Sequence, residues 1–313
     1  MGKRRAVGVA LTFPPRPCAG AGGWFDGSSD RSYFHAMALT QDLQFAIELA
    51  RGAGKIVLDH YGKVERLTKT HVAASAEAVT DADRASQRFI VAGLQRRFPR
   101  DGIVGEESET GTSITFDCPD IHGRVWVIDP IDGTNNFVSG LGFFGVCIGL
   151  LERGKPVLGV VLDVVRDQVY SAAAGEGAWL DNTRLHAATT EMNDASMIML
   201  TSNLLDRNGN CPQYACKWIA QTSWKIRMLG SAALEAVHVA AGVAHGSVTV
   251  NGKLWDVAAP AAVVLEAGGV ITDLSGKPVF PFDLNRYQGA KVPFLAAGPK
   301  AHPVLLKQIM DGM

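Results

Sequence analysis

Asp129-Pro130-Ile131-Asp132-Gly133-Thr134 sets two carboxylates around a backbone carbonyl, directly after the apolar run Val125 to Ile128. Hard divalent ions such as Mg²⁺ take oxygen ligands and keep waters that a substrate can replace, and this donor set suits them. Pro130 is expected to force the chain out of the strand and stiffen the turn. Gly133 lets a ligand approach the backbone, and Thr134 can begin a helix whose free N–H groups attract phosphate. The same letters also spell a helix-capping Asp followed by an Asp-Gly turn, so the hexapeptide needs partners before it means chemistry. Two other acidic sites supply them. Gly105-Glu106-Glu107 follows a strand, and Trp255-Asp256 opens a helix after the strand Gly246 to Val250. Taken singly, Glu106-Glu107 is a solvated loop and Asp256 an N-cap. Together the three sites can converge on one cation cluster.

The elements that must deliver these residues are legible from periodicity. Thr40 caps a helix with Leu43, Ile47, Ala50, Gly54 and Val57 on one face, which stops at Gly62. A second helix opens at Thr80-Asp81-Ala82-Asp83 and runs towards Pro99. Ile103-Val104 and Val125 to Ile128 are strands, and Gly145 to Leu151 with Pro156 to Leu162 form a hairpin. Gln168 to Ala172 adds another strand. Beyond about residue 185 strand and helix alternate. Met197 to Leu200, Gly246 to Val250, Val270 to Thr272 and Phe294 to Ala297 are the strands. Ser231 to Ala241, Val257 to Ala267 and His302 to Met310 are the helices. The pattern predicts an α+β, metal-binding half over residues 38–184 and an α/β half over 185–313 that completes the site. They are expected to pack as α-β-α-β-α layers. Residues 1–37 read as a disordered extension or a translation start set too far upstream, with the folded part beginning near Met37.

Composition narrows the partners. Of 313 residues 47% are apolar, enough to fill a sizeable core, and the formal net charge of -1 offers no basic field for nucleic acid. A small diffusible substrate fits better than a polymer. Cys18, Cys118, Cys147, Cys211 and Cys216 are odd in number and scattered, which indicates free thiols in a reducing cytoplasm. No run is long enough to span a membrane, and the apolar stretch Ala6 to Phe13 is too short for a signal peptide. Gly140 to Gly145 matches a dinucleotide fingerprint by letter, yet strand-like residues follow it. Gly52-Ala53-Gly54-Lys55 belongs to an amphipathic helix. Trp126 and Trp255 read as packing residues, His238 as a satisfied imidazole, and Ser231 as a helix N-cap with no histidine placed to activate it.

The chain resembles the inositol monophosphatase family of the lithium-sensitive phosphatase superfamily. Asp129 to Thr134 carries the likeness with Trp255-Asp256-Val257-Ala258-Ala259-Pro260 and Glu266-Ala267-Gly268-Gly269. Glu106-Glu107, Val79 to Asp83 and Arg227 to Ala232 lie in matching order. The resemblance spans about residues 40 to 310 and implies the layered sandwich of the inositol monophosphatase and fructose-1,6-bisphosphatase type. It implies a Mg²⁺-dependent phosphoric monoester hydrolase with two or three ions per site, open to inhibition by Li⁺. Glu106, Asp129, the Ile131 carbonyl, Asp132 and Asp256 would be the ligands. Thr134 and Asp83, with Glu106, would serve the attacking water. Gly133 and Thr134 would hold phosphate, and Gly230, Ser231 and Ala232 would line the alcohol pocket. A homodimer is also implied.

Two departures matter. Thr249 stands where an inositol-binding glutamate is expected, which leaves the alcohol open. The segment Thr68 to Glu77 is longer than the family norm and is expected to form a flap near the metals, with Glu77 standing in for a family aspartate. Inositol phosphate, histidinol phosphate and 3′-phosphoadenosine 5′-phosphate therefore compete as substrates. A regulatory binding protein that keeps the fold is the non-enzymatic alternative.

Overall fold

The computed structural model describes residues 27–62, 81–108, 115–120, 122–201, 204–205, 209–220, 224–285 and 287–312, with side chains from residue 37 onward. The expected flap, Glu77 and Val79-Thr80 lie outside these residues, as does Cys18. The first helix, α1 (Gly27–His60), begins well upstream of Thr40 and of the boundary expected at Met37. It ends before Gly62, whose φ of 76° only glycine adopts without strain. Helix α2 (Asp81–Arg97) carries Asp81 and Asp83 in its first turn and Arg96 and Arg97 in its last, each sign matching the helix dipole.

The next segment builds one sheet. Its strands are β1 (Gly102–Gly105), β2 (Thr115–Asp117), β3 (Arg124–Asp132), β4 (Gly145–Glu152), β5 (Lys155–Asp163), β6 (Gln168–Ala173), β7 (Gly177–Leu180) and β8 (Thr183–Arg184). The short helix α3 (Thr134–Ser139) interrupts them. Strand order is β2-β1-β3-β4-β5-β6-β7-β8, antiparallel except where β1 runs parallel to β3. The second sheet has the order β10-β9-β11-β13-β12. It is built from β9 (Met197–Leu200), β10 (Lys225–Arg227), β11 (Gly246–Thr249), β12 (Val270–Thr272) and β13 (Phe294–Ala297). Around them run α4 (Gln213–Ala220), α5 (Ala232–Ala240), α6 (Leu254–Glu266) and α7 (Ala301–Asp311).

Five layers result. Helices α1 and α2 cover one face of the first sheet, α5 and α6 fill the space between the sheets, and α4 and α7 cover the far face of the second. Alternation along β3 shows how both faces are used. Trp126 and Ile128 join the core under α1 and α2, whereas Val125 and Val127 join the core with α5 and α6. With both faces covered, every residue from Val125 to Asp132 is buried.

Helix α6 lies unusually close to its sheet. A Cβ on Gly149 would sit 2.8 Å from the Ala259 nitrogen, and one on Gly159 only 2.1 Å from the Ala259 carbonyl oxygen. These glycines are cross-strand partners, so together they clear a seat for the alanines of α6. That seat fixes where the first turn of α6, and Asp256 with it, meets β3.

Several sequence readings shift. Strand β3 does not stop at Pro130 but resumes pairing at Asp132, after a register irregularity between Asp129 and Asp132. Helix α6 starts at Leu254, so Asp256 occupies its third position rather than the N-cap, and Pro260 lies inside the helix. The segment Gly140 to Gly145 leads into β4, and Gly52 to Lys55 lies in α1. No helix among the described residues is long and apolar enough to cross a membrane. Cys118, Cys147, Cys211 and Cys216 are free thiols.

Candidate metal centre

Two carboxylates three residues apart on a regular strand would point to opposite faces. Asp129 pairs with Cys147 and Asp132 with Gly145, so an irregularity in β3 takes up Pro130 and Ile131 and re-aims the second side chain. The Ile131 N–H donates to Asp129 Oδ1 at 3.0 Å, and the Ser86 hydroxyl of α2 donates to the Pro130 carbonyl at 3.1 Å. Asp256 arrives from α6, where its Oδ2 accepts the Lys253 N–H at 2.5 Å. Oxygens of Asp129, Asp132 and Asp256 all lie within 4.8 Å of one another.

Glu106 is delivered by register. Gly105 pairs with Ile128 in the parallel β1–β3 ladder, and the Glu106 N–H donates to the Ile128 carbonyl at 3.3 Å. This places Glu106 alongside Asp129. The Glu107 backbone instead engages Gln87, its N–H donating to Oε1 at 2.9 Å and its carbonyl accepting from Nε2 at 2.5 Å. Asp83 sits one turn before Gln87 on α2 and is almost wholly buried.

Electrostatics express this crowding. Burial, then the charges of Glu106, Asp132, Asp256 and Asp83, push the Asp129 carboxyl well above the carboxylate range. Burial raises Asp132 to about 6, even though Ser231 and the first amides of α5 pull it down. The Cys147 thiol, across from Asp129, is likewise pushed up by burial and by the same carboxylates. Two buried carboxylates, Asp129 and Asp132, crowded by the half-buried Asp256 and Glu106, are stabilised by protons or by a cation. With no nitrogen or sulfur donor among the clustered ligand atoms, the set fits a hard divalent ion.

On the neighbouring side, Gly133 takes a φ of 90° as the N-cap of α3, where a Cβ would crowd Ser231 and the Phe143 carbonyl. The Thr134 hydroxyl donates to the Ile131 carbonyl at 3.0 Å. Ser231 caps α5, as its sequence position indicated, and its hydroxyl also donates to Asp132 Oδ2. Asp132 further accepts the Ala232 N–H at 3.0 Å and the Ala233 N–H at 2.9 Å. Gly230 and Leu229 donate their N–H groups to Glu235 Oε1 at 3.0 and 2.7 Å. Thr249 is buried in β11, its hydroxyl without a partner among the described residues.

Sequence reading missed four residues that hold this arrangement: Ser86, Gln87, Asn136 and Glu235. Ser86 and Gln87 follow Asp83 at the spacing of one helical face, a usable signal. Glu235 stood out as the lone acid among alanines and valines of α5. Nothing local marks Asn136, whose Nδ2 bridges the Phe143 and Leu229 carbonyls, each at 2.7 Å.

Comparison with known proteins bears on this geometry. The profile of the inositol monophosphatase family matches residues 38–311. A "Fructose-1,6-bisphosphatase/inositol-1-monophosphatase" of Thermotoga maritima is 35% identical over 246 residues, covering 78% of this chain and 89% of that protein. A "Nus factor SuhB" of Pasteurella multocida is 35% identical, covering 75% and 85%. A "Histidinol-phosphatase" of Chlorobaculum parvum is 34% identical, covering 76% and 87%. The solved Thermotoga maritima IMPase superposes with a TM-score of 0.72 at 31% identity, covering 87% of this chain and 97% of that one.

Proposed function

This chain belongs to the inositol monophosphatase family, and from that premise we propose that it hydrolyses a small phosphate monoester with Mg²⁺ as cofactor. The observation that carries the reading is the meeting of Asp129, Asp132 and Asp256 within 4.8 Å, beside Glu106 and next to a glycine turn. Glu106, Asp129, the Ile131 carbonyl, Asp132 and Asp256 would hold the ions. Mg²⁺, when bound, acidifies water and neutralises charge on the phosphate and the departing oxygen.

The chain's own groups handle positioning. Because the Thr134 hydroxyl gives its proton to the Ile131 carbonyl, its lone pairs are left to accept from the attacking water. Asp83, whose charge reaches Asp129, would border the same water with Glu106. The first N–H groups of α3, at Gly133 and Thr134, lack intrahelical acceptors and would receive phosphate oxygens. Phosphoryl transfer then depends on alignment and charge neutralisation, with no protein nucleophile required.

The alcohol would face Gly230, Ser231 and Ala232. Ser231 and Ala232 already serve Asp132, and Thr249 offers no carboxylate for a polyol hydroxyl. Inositol phosphate and histidinol phosphate are therefore both candidates, with 3′-phosphoadenosine 5′-phosphate as a third. Purified protein given Mg²⁺ should release phosphate from at least one of the three, and the ranking identifies the alcohol. Absence of release from all of them, with Mg²⁺ present, would favour a regulatory protein that retains the fold.

A further inference from the structure

The turn between β10 and α5 is held from two sides. Asn136 Nδ2 donates to the Leu229 carbonyl at 2.7 Å, while Glu235 Oε1 accepts both the Leu229 and Gly230 N–H groups. Gly230 takes a φ of 82°, and its carbonyl oxygen sits 3.3 Å from where a Cβ on Gly133 would be. The turn is thus wedged between the glycine of the carboxylate motif and the body of α5. Glu235 is 0% exposed in a helix of alanines and valines. Its Oε2 has no hydrogen-bond partner among the described residues. Burying a carboxyl group there is costly unless its hydrogen bonds compensate, and the bonds it makes go to this turn.

We propose that Glu235 is a positioning residue that fixes the Leu229-Gly230 turn and thereby sets which alcohol portion the site accepts. The inference rests on the phosphatase reading above, in which Gly230, Ser231 and Ala232 face the alcohol. Glutamine at 235 keeps an oxygen for both N–H groups, alanine keeps none, and aspartate is one methylene too short to reach them in the same geometry. A turn released in this way would disturb the alcohol end of the substrate, whereas Gly133 stays held by the Asn136 and Phe137 N–H groups, which donate to its carbonyl at 2.9 and 3.1 Å, and the phosphate end is left alone.

Glu235→Ala, Glu235→Asp and Glu235→Gln should be compared with the wild type in two measurements. In hydrogen exchange, the Leu229 and Gly230 amides should exchange at least ~10-fold faster in the alanine variant and at the wild-type rate in the glutamine variant. In kinetics, KM for histidinol phosphate or inositol phosphate should rise about 10-fold in the alanine variant, with kcat within about 3-fold. Inhibition by inorganic phosphate, which has no alcohol portion, should not move, and glutamine should restore KM. If KM and phosphate inhibition shift together, or glutamine behaves like alanine, the proposal is overturned. Unchanged exchange and KM in folded alanine variant overturn it as well. Should that variant fail to fold, the aspartate variant decides, and wild-type exchange and KM there count against the proposal. A wild type that releases no phosphate sinks the phosphatase reading, while the exchange data still judge the clamp.

Discussion

Asp129 and Asp132 share a motif, yet their surroundings give them different work. Asp129 faces other carboxylates and gains little from its neighbours beyond the Ile131 N–H. Asp132 accepts Ser231, Ala232 and Ala233 and so holds the start of α5. Asp129→Asn should therefore lower Mg²⁺-dependent turnover at least ~100-fold, since even outer partners of a metal ligand can cost that much. Its thermal midpoint without metal should equal or exceed the wild type's, because a buried carboxyl crowded by other carboxylates is gone. Asp132→Ala should instead lose about 1–3 kcal/mol of metal-free stability through the orphaned donors, read by urea denaturation. Equal behaviour of the two variants would contradict the division of roles. Glu235 supplies a pH test. Burial raises its carboxyl from an ordinary 4.5 to about 8, so the folded protein keeps a proton that the unfolded chain has lost. The stability this contributes is complete below pH 4.5 and declines as pH rises to about 8. Metal-free melting curves over that range should fall for the wild type and fall less steeply for Glu235→Gln, in which Asp129 and Asp132, raised as well, still contribute. At this scale the carboxylates were legible because residue type and spacing announce them. Asn136 was not, since its role depends on a contact with Leu229 that no local pattern encodes.

Among the elements, α6 carries the most consequence. Its alanines rest on Gly149 and Gly159, and that contact sets the height of Asp256 over β3. Gly159→Ala would drive a methyl group to 2.1 Å from the Ala259 carbonyl oxygen. It should cost about 1–3 kcal/mol and weaken Mg²⁺ binding as well, because the displaced helix carries Asp256, one of the proposed ligands. Denaturation and calorimetry on the same variant check both effects, and a loss of stability with unchanged Mg²⁺ affinity would uncouple the seat from the site. Strands β12 and β13 were legible to the residue because each is a short buried run between turn signals. The path of β3 past Pro130 was not, because a proline reads locally as a strand end while the ladder with β4 resumes beyond it. The start of α6 at Leu254 was hidden for a related reason. The chain enters the helix at Lys253, and Asp256 reaches back to the Lys253 N–H from inside it, which sequence alone reads as a cap.

In the whole molecule the layers give the site its setting. Both sheets are covered on each face, and α5 and α6 between them bring a turn and an aspartate to the edge of β3. The layered architecture followed from the change of pattern near residue 185, whereas the short strands β2, β7, β8 and β10 and helix α4 carried too little periodicity to be read. Convergence of residues from α2, β1, β3 and α6 means that a bound cation ties distant parts of the chain together, so metal binding should raise stability by mass action. The most direct test titrates Mg²⁺ into chelator-treated wild type and Asp129→Asn while reading phosphate release and thermal midpoint on the same samples. Both signals should rise together in the wild type and neither in the variant. Phosphate release by the wild type in excess chelator, or a variant that matches it, would contradict the assignment of this cluster as the metal centre.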